Sequence, residues 1–90
     1  MLSFKNLFKE ARIGNLPIAN RLVVPPMVVS YCNEDGTATE RFIAYHEEKA
    51  KGGWGLIITE NFYVDPRGKA FTCMAGFHED RHIEGYRKLT

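Results

Sequence analysis

Ninety residues are enough for one small domain, a size that buries roughly 60–65% of its unfolded surface. The composition, 44% hydrophobic and 26% charged, is that of an ordinary soluble protein, and no apolar run approaches the ~20 residues of a membrane span. Twelve basic side chains are interleaved with eleven acidic ones rather than gathered into a stripe, which argues against a nucleic-acid partner. The opening Leu2-Ser3-Phe4-Lys5-Asn6 meets charge at once, so no secretory leader is expected. Cys32 and Cys73 lack metal-ligand spacing and are expected as reduced thiols in a cytoplasmic protein.

In chain order, Leu7 to Ile13, Gly14-Asn15 and Leu16-Pro17-Ile18 predict a hairpin over 7–19. Gly takes positive φ without steric cost, and Pro17, lacking an N–H, belongs on an edge. Arg21-Leu22-Val23-Val24 predicts a strand over 21–25, stopped by Pro25-Pro26. Its β-branched run shows no polar alternation, which points to burial on both faces. Met27 to Tyr31 then lead into a loop with an Asp35-Gly36 turn. Thr37-Ala38-Thr39-Glu40 has the form of a capping box and opens a helix over 40–51. Phe42, Ile43, Tyr45, His46 and Ala50 fall near one face of that helix, and Glu47, Glu48, Lys49 and Lys51 lie mostly on the other. Gly52-Gly53 ends it. Leu56-Ile57-Ile58-Thr59 predicts a second apolar strand over 55–60, closing on Glu60. Residues 61–79 read as a long loop. Asp80 caps a last helix, from 80 onward, in which Ile83, Tyr86 and Leu89 recur and Glu84 faces Lys88.

Strands alternating with helices imply parallel βα units with right-handed crossovers. In such folds ligand chemistry gathers at the C-terminal strand ends, here Pro25-Pro26-Met27-Val28 and Thr59-Glu60-Asn61. Glu60 is a general base if burial raises its pKa, but a structural hydrogen bond is the expected role. His46 is expected to pack and make one hydrogen bond. His78 and His82 are four apart but lack a third ligand, so no metal site is expected. Trp54 is expected to pack at the helix–strand junction. Gly52-Gly53-Trp54-Gly55 precedes a strand and lacks the ending of a phosphate loop. Ser30 and Tyr31 either touch substrate or serve as plain loop.

Asn20-Arg21-Leu22-Val23-Val24-Pro25-Pro26-Met27 resembles the first-strand segment of the Old Yellow Enzyme and dienoyl-CoA reductase superfamily of flavin oxidoreductases. Leu7-Phe8 with Ile13-Gly14-Asn15-Leu16 is similar to that family's N-terminal hairpin. Tyr45-His46 to Ala50, Gly52-Gly53 and Leu56-Ile57-Ile58-Thr59-Glu60 resemble its first helix and second strand, and residues 82–90 the start of its second helix. The resemblance implies an α/β fold truncated to the hairpin and first two βα units of a TIM (β/α)8 barrel. It also implies FMN, with NADH or NADPH as hydride donor and a small activated alkene as substrate. Carried over, Pro25, Pro26, Met27 and Val28 would line the flavin ring, and Asn61 would approach it; no catalytic residue is carried over. Many members have Thr or Cys where this chain has Val28. That departure points to the larger branches, in which an iron–sulfur cluster and a nucleotide-binding portion, with FAD, follow the barrel. The ninety residues alone are expected to be inactive. The alternative is a non-catalytic product that self-associates, as a homo-oligomer, through exposed strand edges.

Overall fold

The computed structural model describes residues 4–90; Leu2 and Ser3 of the opening segment lie outside the described residues. Strands β1 (Ala11–Ile13) and β2 (Leu16–Ile18) pair antiparallel in the register Ala11↔Ile18, Arg12↔Pro17, Ile13↔Leu16. Gly14, at φ 58, makes the turn with Asn15, and Pro17 lies in a two-stranded sheet where its missing N–H costs no ladder bond. The hairpin is shorter than the span 7–19.

Strand β3 (Val23–Val24) and strand β4 (Leu56–Ile57) pair parallel, Val23 with Leu56 and Val24 with Ile57. Helix α1 (Glu40–Lys51) is the crossover between them and occupies the expected residues. Both strands are shorter than 21–25 and 55–60, and β3 is not buried on both faces: Val23 is 40% exposed and Val24 4%, while Leu56 and Ile57 of β4 are half-buried. An unbroken apolar run reports what a strand can bury. Whether both faces are covered depends on neighbours, and here only one face has them.

Helix α1 begins two residues later than a capping box at Thr37 requires. Its N-cap is Thr39, whose hydroxyl accepts from the Phe42 N–H. Thr37 is already committed to the preceding turn, giving both its N–H (2.9 Å) and its hydroxyl (2.6 Å) to Asp35 Oδ1. Those bonds hold the Asp35 carboxyl below the usual range. Ala50 is exposed rather than on the buried face, and Trp54 is 44% exposed rather than packed at the junction.

The segment 61–79 is folded back on itself. Tyr63 bridges Gly76 in parallel sense, with Tyr63 N–H donating to Ala75 O and Phe77 N–H to Tyr63 O. A short 3-10 turn at Pro66–Gly68 is capped by Asp65. A second, Asp80–His82, leads into helix α2 (Ile83–Leu89). Glu79, not Asp80, is the N-cap of that turn, and its N–H donates to His82 Nδ1 at 3.2 Å. Glu84 pairs with Arg87 at 3.2 Å rather than with Lys88.

The buried cluster of Cys32, Phe42, Ala75 and Tyr86 lies between the two helices and the loops that follow the strands. The Tyr86 ring meets Phe42 at 6.0 Å and Phe62 at 5.0 Å, and its hydroxyl donates to Gly36 O at 2.7 Å. Cys32 and Cys73, remote in sequence, meet through a backbone bond from the Cys32 N–H to Cys73 O, and both are free thiols. The radius of gyration is 15.4 Å, against about 12 Å for a closed globule of this length. Apolar side chains such as Val23, Ile58, Val64 and Phe71 stay at the surface. Among the described residues no helix is long and apolar enough to cross a membrane.

Asn20 fastens the start of the parallel pair. Its amide donates to Gly53 O at 2.8 Å, its Oδ1 accepts from the Leu22 N–H at 3.0 Å, and Gly55 N–H donates to Leu22 O. Gly55 lies so close to Asn20 that a Cβ there would overlap the Asn20 carbonyl oxygen. Gly55→Ala therefore forces apart the two chains entering β3 and β4. It is expected to cost about 1–3 kcal/mol, read as a fall of several degrees in the thermal midpoint.

Burial pushes the Cys32 thiol up from 9.0 to about 12, with Glu60 nearby adding to the effect, and it also raises the Tyr86 hydroxyl from 10.0. The unfolded chain releases these protons first, so their contribution is fully present below about pH 9 and is lost as pH rises toward 12. Thermal midpoints measured across this range should fall, and Cys32→Ala should flatten the fall.

Candidate functional site

Parallel pairing puts the C-terminal ends of β3 and β4 side by side, so the segments 25–29 and 58–61 share one rim. Ile58 N–H donates to Val24 O at 3.0 Å, the last bond of the pair. Beyond it the backbone of β3 runs into Pro25 and Pro26, which have no N–H to continue a ladder. The two strands are joined again at Val29, whose N–H donates to Glu60 Oε2 at 3.0 Å. The segment 25–28 is thus pinned at both ends to the neighbouring strand.

Pro25 and Pro26 are exposed, Met27 is 53% exposed, and Val28 is half-buried. The backbone N–H groups of Met27 and Val28 have no partner among the described residues. Asn61, exposed, follows Glu60 on the adjacent strand end. Pro25 to Val28 and Asn61 therefore meet along a single edge. Ser30 is exposed and holds φ 57, a region that non-glycine residues rarely adopt. Tyr31 is drawn toward α1: the Arg41 guanidinium stands 3.8 Å from its ring centroid and the Tyr45 ring meets it edge-on at 5.5 Å. The Tyr31 carbonyl accepts from the Thr39 hydroxyl. Ser30 and Tyr31, adjacent in sequence, thus sit in different surroundings.

Glu60 is 2% exposed and bonded to a backbone amide, which is the structural hydrogen bond expected of it. His46 packs edge-on against Phe42 at 4.8 Å. It makes no hydrogen bond, however: Nε2 is 3.6 Å from Glu60 Oε1, too far for one but within reach of a charge interaction. Burial holds the His46 pKa below its usual range, with Glu60 opposing that shift. In a single sequence, the signal for this contact is a carboxylate closing an apolar strand and an imidazole one turn beyond the buried Phe42.

His78 and His82 do approach, with ring centroids 5.0 Å apart. His82 Nδ1 accepts from the Glu79 N–H, so Nε2 carries the proton and donates to Asp35 O at 2.8 Å. With both nitrogens engaged, His82 has no lone pair left for a cation. Among the described residues no three His, Cys, Asp or Glu side chains gather as a metal cluster. The rim holds no nucleophile beside a base. Its chemistry is that of a binding surface, apolar with free amide donors at its edge.

Residues 6–90 match the model of the NADH:flavin oxidoreductase / NADH oxidase family. The chain is 48% identical over 90 residues to an NADH oxidase of Thermoanaerobacter brockii, covering 99% of this chain and 14% of that protein. It is 37% identical over 87 residues to an NADPH dehydrogenase of Bacillus subtilis, covering 96% of this chain and 26% of that one. The fold matches a solved 2-naphthoyl-CoA reductase with a TM-score of 0.94 at 33% identity, over 97% of this chain and 13% of that structure. It matches an Old Yellow Enzyme from a Pichia species with a TM-score of 0.86 at 31% identity, over 93% of this chain and 22% of that structure. The chain spans only a small part of the length of these relatives. Even so, the match extends over nearly every residue, and the chain belongs to the NADH:flavin oxidoreductase / NADH oxidase family.

Proposed function

We propose that these ninety residues are the front end of an FMN-dependent NAD(P)H oxidoreductase built on a (β/α)8 barrel, and that the rim at β3 and β4 is the first edge of its flavin site. The observation that carries this reading is the segment 25–28. It offers exposed apolar surface and two N–H groups without a partner among the described residues, and both of its ends are fixed to the segment 58–60 that follows β4. A planar ring with heteroatoms along one edge requires an apolar face and a few fixed donors, so the residues present fit the group. When bound, FMN supplies hydride transfer, from the nicotinamide to an activated C=C bond or a related small substrate. Pro25, Pro26, Met27 and Val28 give the ring its apolar wall, and Asn61 approaches it from the neighbouring strand. Ser30 and Tyr31 are the candidate substrate contacts.

Val28 has no polar side chain, so any hydrogen bond to the ring from this position comes from its backbone. The 48% identity to the longer NADH oxidase, against 37% to the shorter NADPH dehydrogenase, favours the larger branch of such enzymes. In that branch an iron–sulfur cluster and a nucleotide-binding portion, with FAD, would follow the barrel.

The exposed Val23 and Ile58 beside the β3–β4 pair also favour a second reading for the isolated chain, in which copies associate through these strands. Light scattering on the chain separates the two: a cooperatively folding monomer counts against self-association.

Flavin titration tests the main reading. A longer protein in which these residues continue into the rest of the barrel should take up one FMN with a shifted absorption spectrum, while the ninety residues alone should not bind it at ~1 μM. Tight stoichiometric binding by the short chain would overturn its role as a partial site, and failure of the longer protein would overturn the flavin reading. Met27→Ala removes apolar surface worth up to ~2 kcal/mol and should weaken FMN by roughly tenfold or more in the longer protein.

A further inference from the structure

Two buried titratable side chains lie at the Val29 end of the proposed flavin wall, and that reading gives them no role. Glu60 is 2% exposed and His46 6%. Glu60 Oε2 accepts from the Val29 N–H at 3.0 Å, while Oε1 faces His46 Nε2 at 3.6 Å. Among the described residues, Glu60 Oε1 and both His46 nitrogens have no hydrogen-bond partner. A buried carboxylate with one oxygen unsatisfied is costly, and an apolar side chain would fill the same space without that cost. What an apolar side chain cannot do is accept the Val29 N–H.

That amide has a particular place in the chain. Pro25 and Pro26 carry no N–H, and the N–H groups of Met27 and Val28 have no partner among the described residues. The bond from Val29 is therefore the first point after Val24 at which the backbone N–H groups of the segment are anchored. The next residue, Ser30, holds φ 57, an unfavourable conformation for a side chain with a Cβ. The surroundings impose the path of the loop at this point, and the Glu60 bond fixes the residue before the strained one.

We propose that Glu60 is a positioning residue for the flavin site, its carboxylate holding the Val29 amide so that segment 25–28 keeps one conformation, with His46 as the neighbouring group that backs the free carboxylate oxygen. This rests on the flavin reading above for its cofactor half, whereas the tether itself belongs to the chain alone. Glu60 touches no cofactor in this scheme; it acts through Val29. His46 Nε2 lies 3.6 Å from Oε1, and its ring is held in place by Phe42 and by Tyr45, whose centroid lies 5.2 Å away.

Amide hydrogen exchange and FMN binding test the proposal together. In the full ninety-residue chain, Glu60→Leu should abolish protection of the Val29 amide, and Glu60→Gln, which keeps an acceptor oxygen, should retain it. In the longer protein, Glu60→Leu should weaken FMN by about tenfold and shift the bound-flavin absorption bands, with Glu60→Gln restoring both. His46→Phe should reduce Val29 protection less than Glu60→Leu does. Equal Val29 exchange in the wild type and the Leu variant would overturn the tether. Lost Val29 protection with unchanged FMN affinity and band position would overturn the positioning role. Failure of the wild-type longer protein to bind FMN would instead sink the flavin reading, and Val29 exchange would still decide the tether. Far-UV circular dichroism identifies a Leu variant that has unfolded, and in that event Val29 protection and FMN binding in the Gln variant decide the question.

Discussion

Two side chains fasten the single parallel strand pair at its two ends, and the rest of the molecule is arranged around that pair. At the entry, Asn20 bonds both to its own strand's approach and to the Gly53 carbonyl on the other. At the exit, Glu60 reaches back to Val29. A parallel pair of two residues per strand has little intrinsic stability, because its slanted bonds are few. Clasps at both ends do what additional ladder bonds would do in a longer strand. They also place the rim: because entry and exit are both fixed, Pro25 to Val28 and Asn61 have little freedom to separate.

The core lies away from this pair. Phe42, Tyr86, Ala75 and Cys32 pack where the two helices meet the loops, and the carbonyls of Asp35 and Gly36 accept from His82 and Tyr86. The turn at 33–37 and helix α2 are therefore bound to each other, although some fifty residues separate Gly36 from Tyr86. This arrangement keeps the rim free of packing duty.

Local signals in the sequence located the elements well, and tertiary ones were harder to read. Helix α1 keeps its expected bounds, since apolar spacing, cations near the end and Gly52-Gly53 all act within a few residues. Its cap moved from Thr37 to Thr39 because Asp35 had already claimed Thr37, a competition between neighbouring turns that a four-residue motif does not show. The strands shrank for a different reason: Val23 and Ile58 have the residue types of a buried strand, and the burial itself depends on what packs against them. The family resemblance proposes Pro25 to Val28 and Asn61 for the flavin, and parallel pairing of β3 with β4 puts the segments that carry them at one end of the pair. The Asn20 and Glu60 clasps were not legible as pairs, because each joins segments about thirty residues apart.

The position of Glu60 shows why a buried charge can be retained at the edge of a binding surface. A hydrophobic residue there would remove the desolvation cost and leave the Val29 amide without an acceptor, one residue before a backbone already held at positive φ. The cost of burying the carboxylate and the cost of the Ser30 conformation fall on the same short stretch. A fold stabilised only for its own sake would relax both. On the proposed flavin reading, a surface that presents Met27 and Val28 to a rigid planar ring has reason to keep them, because loop conformations sampled by an untethered segment would lower the fraction competent to bind. His46 extends the same logic one layer further into the protein. It packs edge-on against Phe42, and burial lowers its pKa while Glu60 opposes that shift.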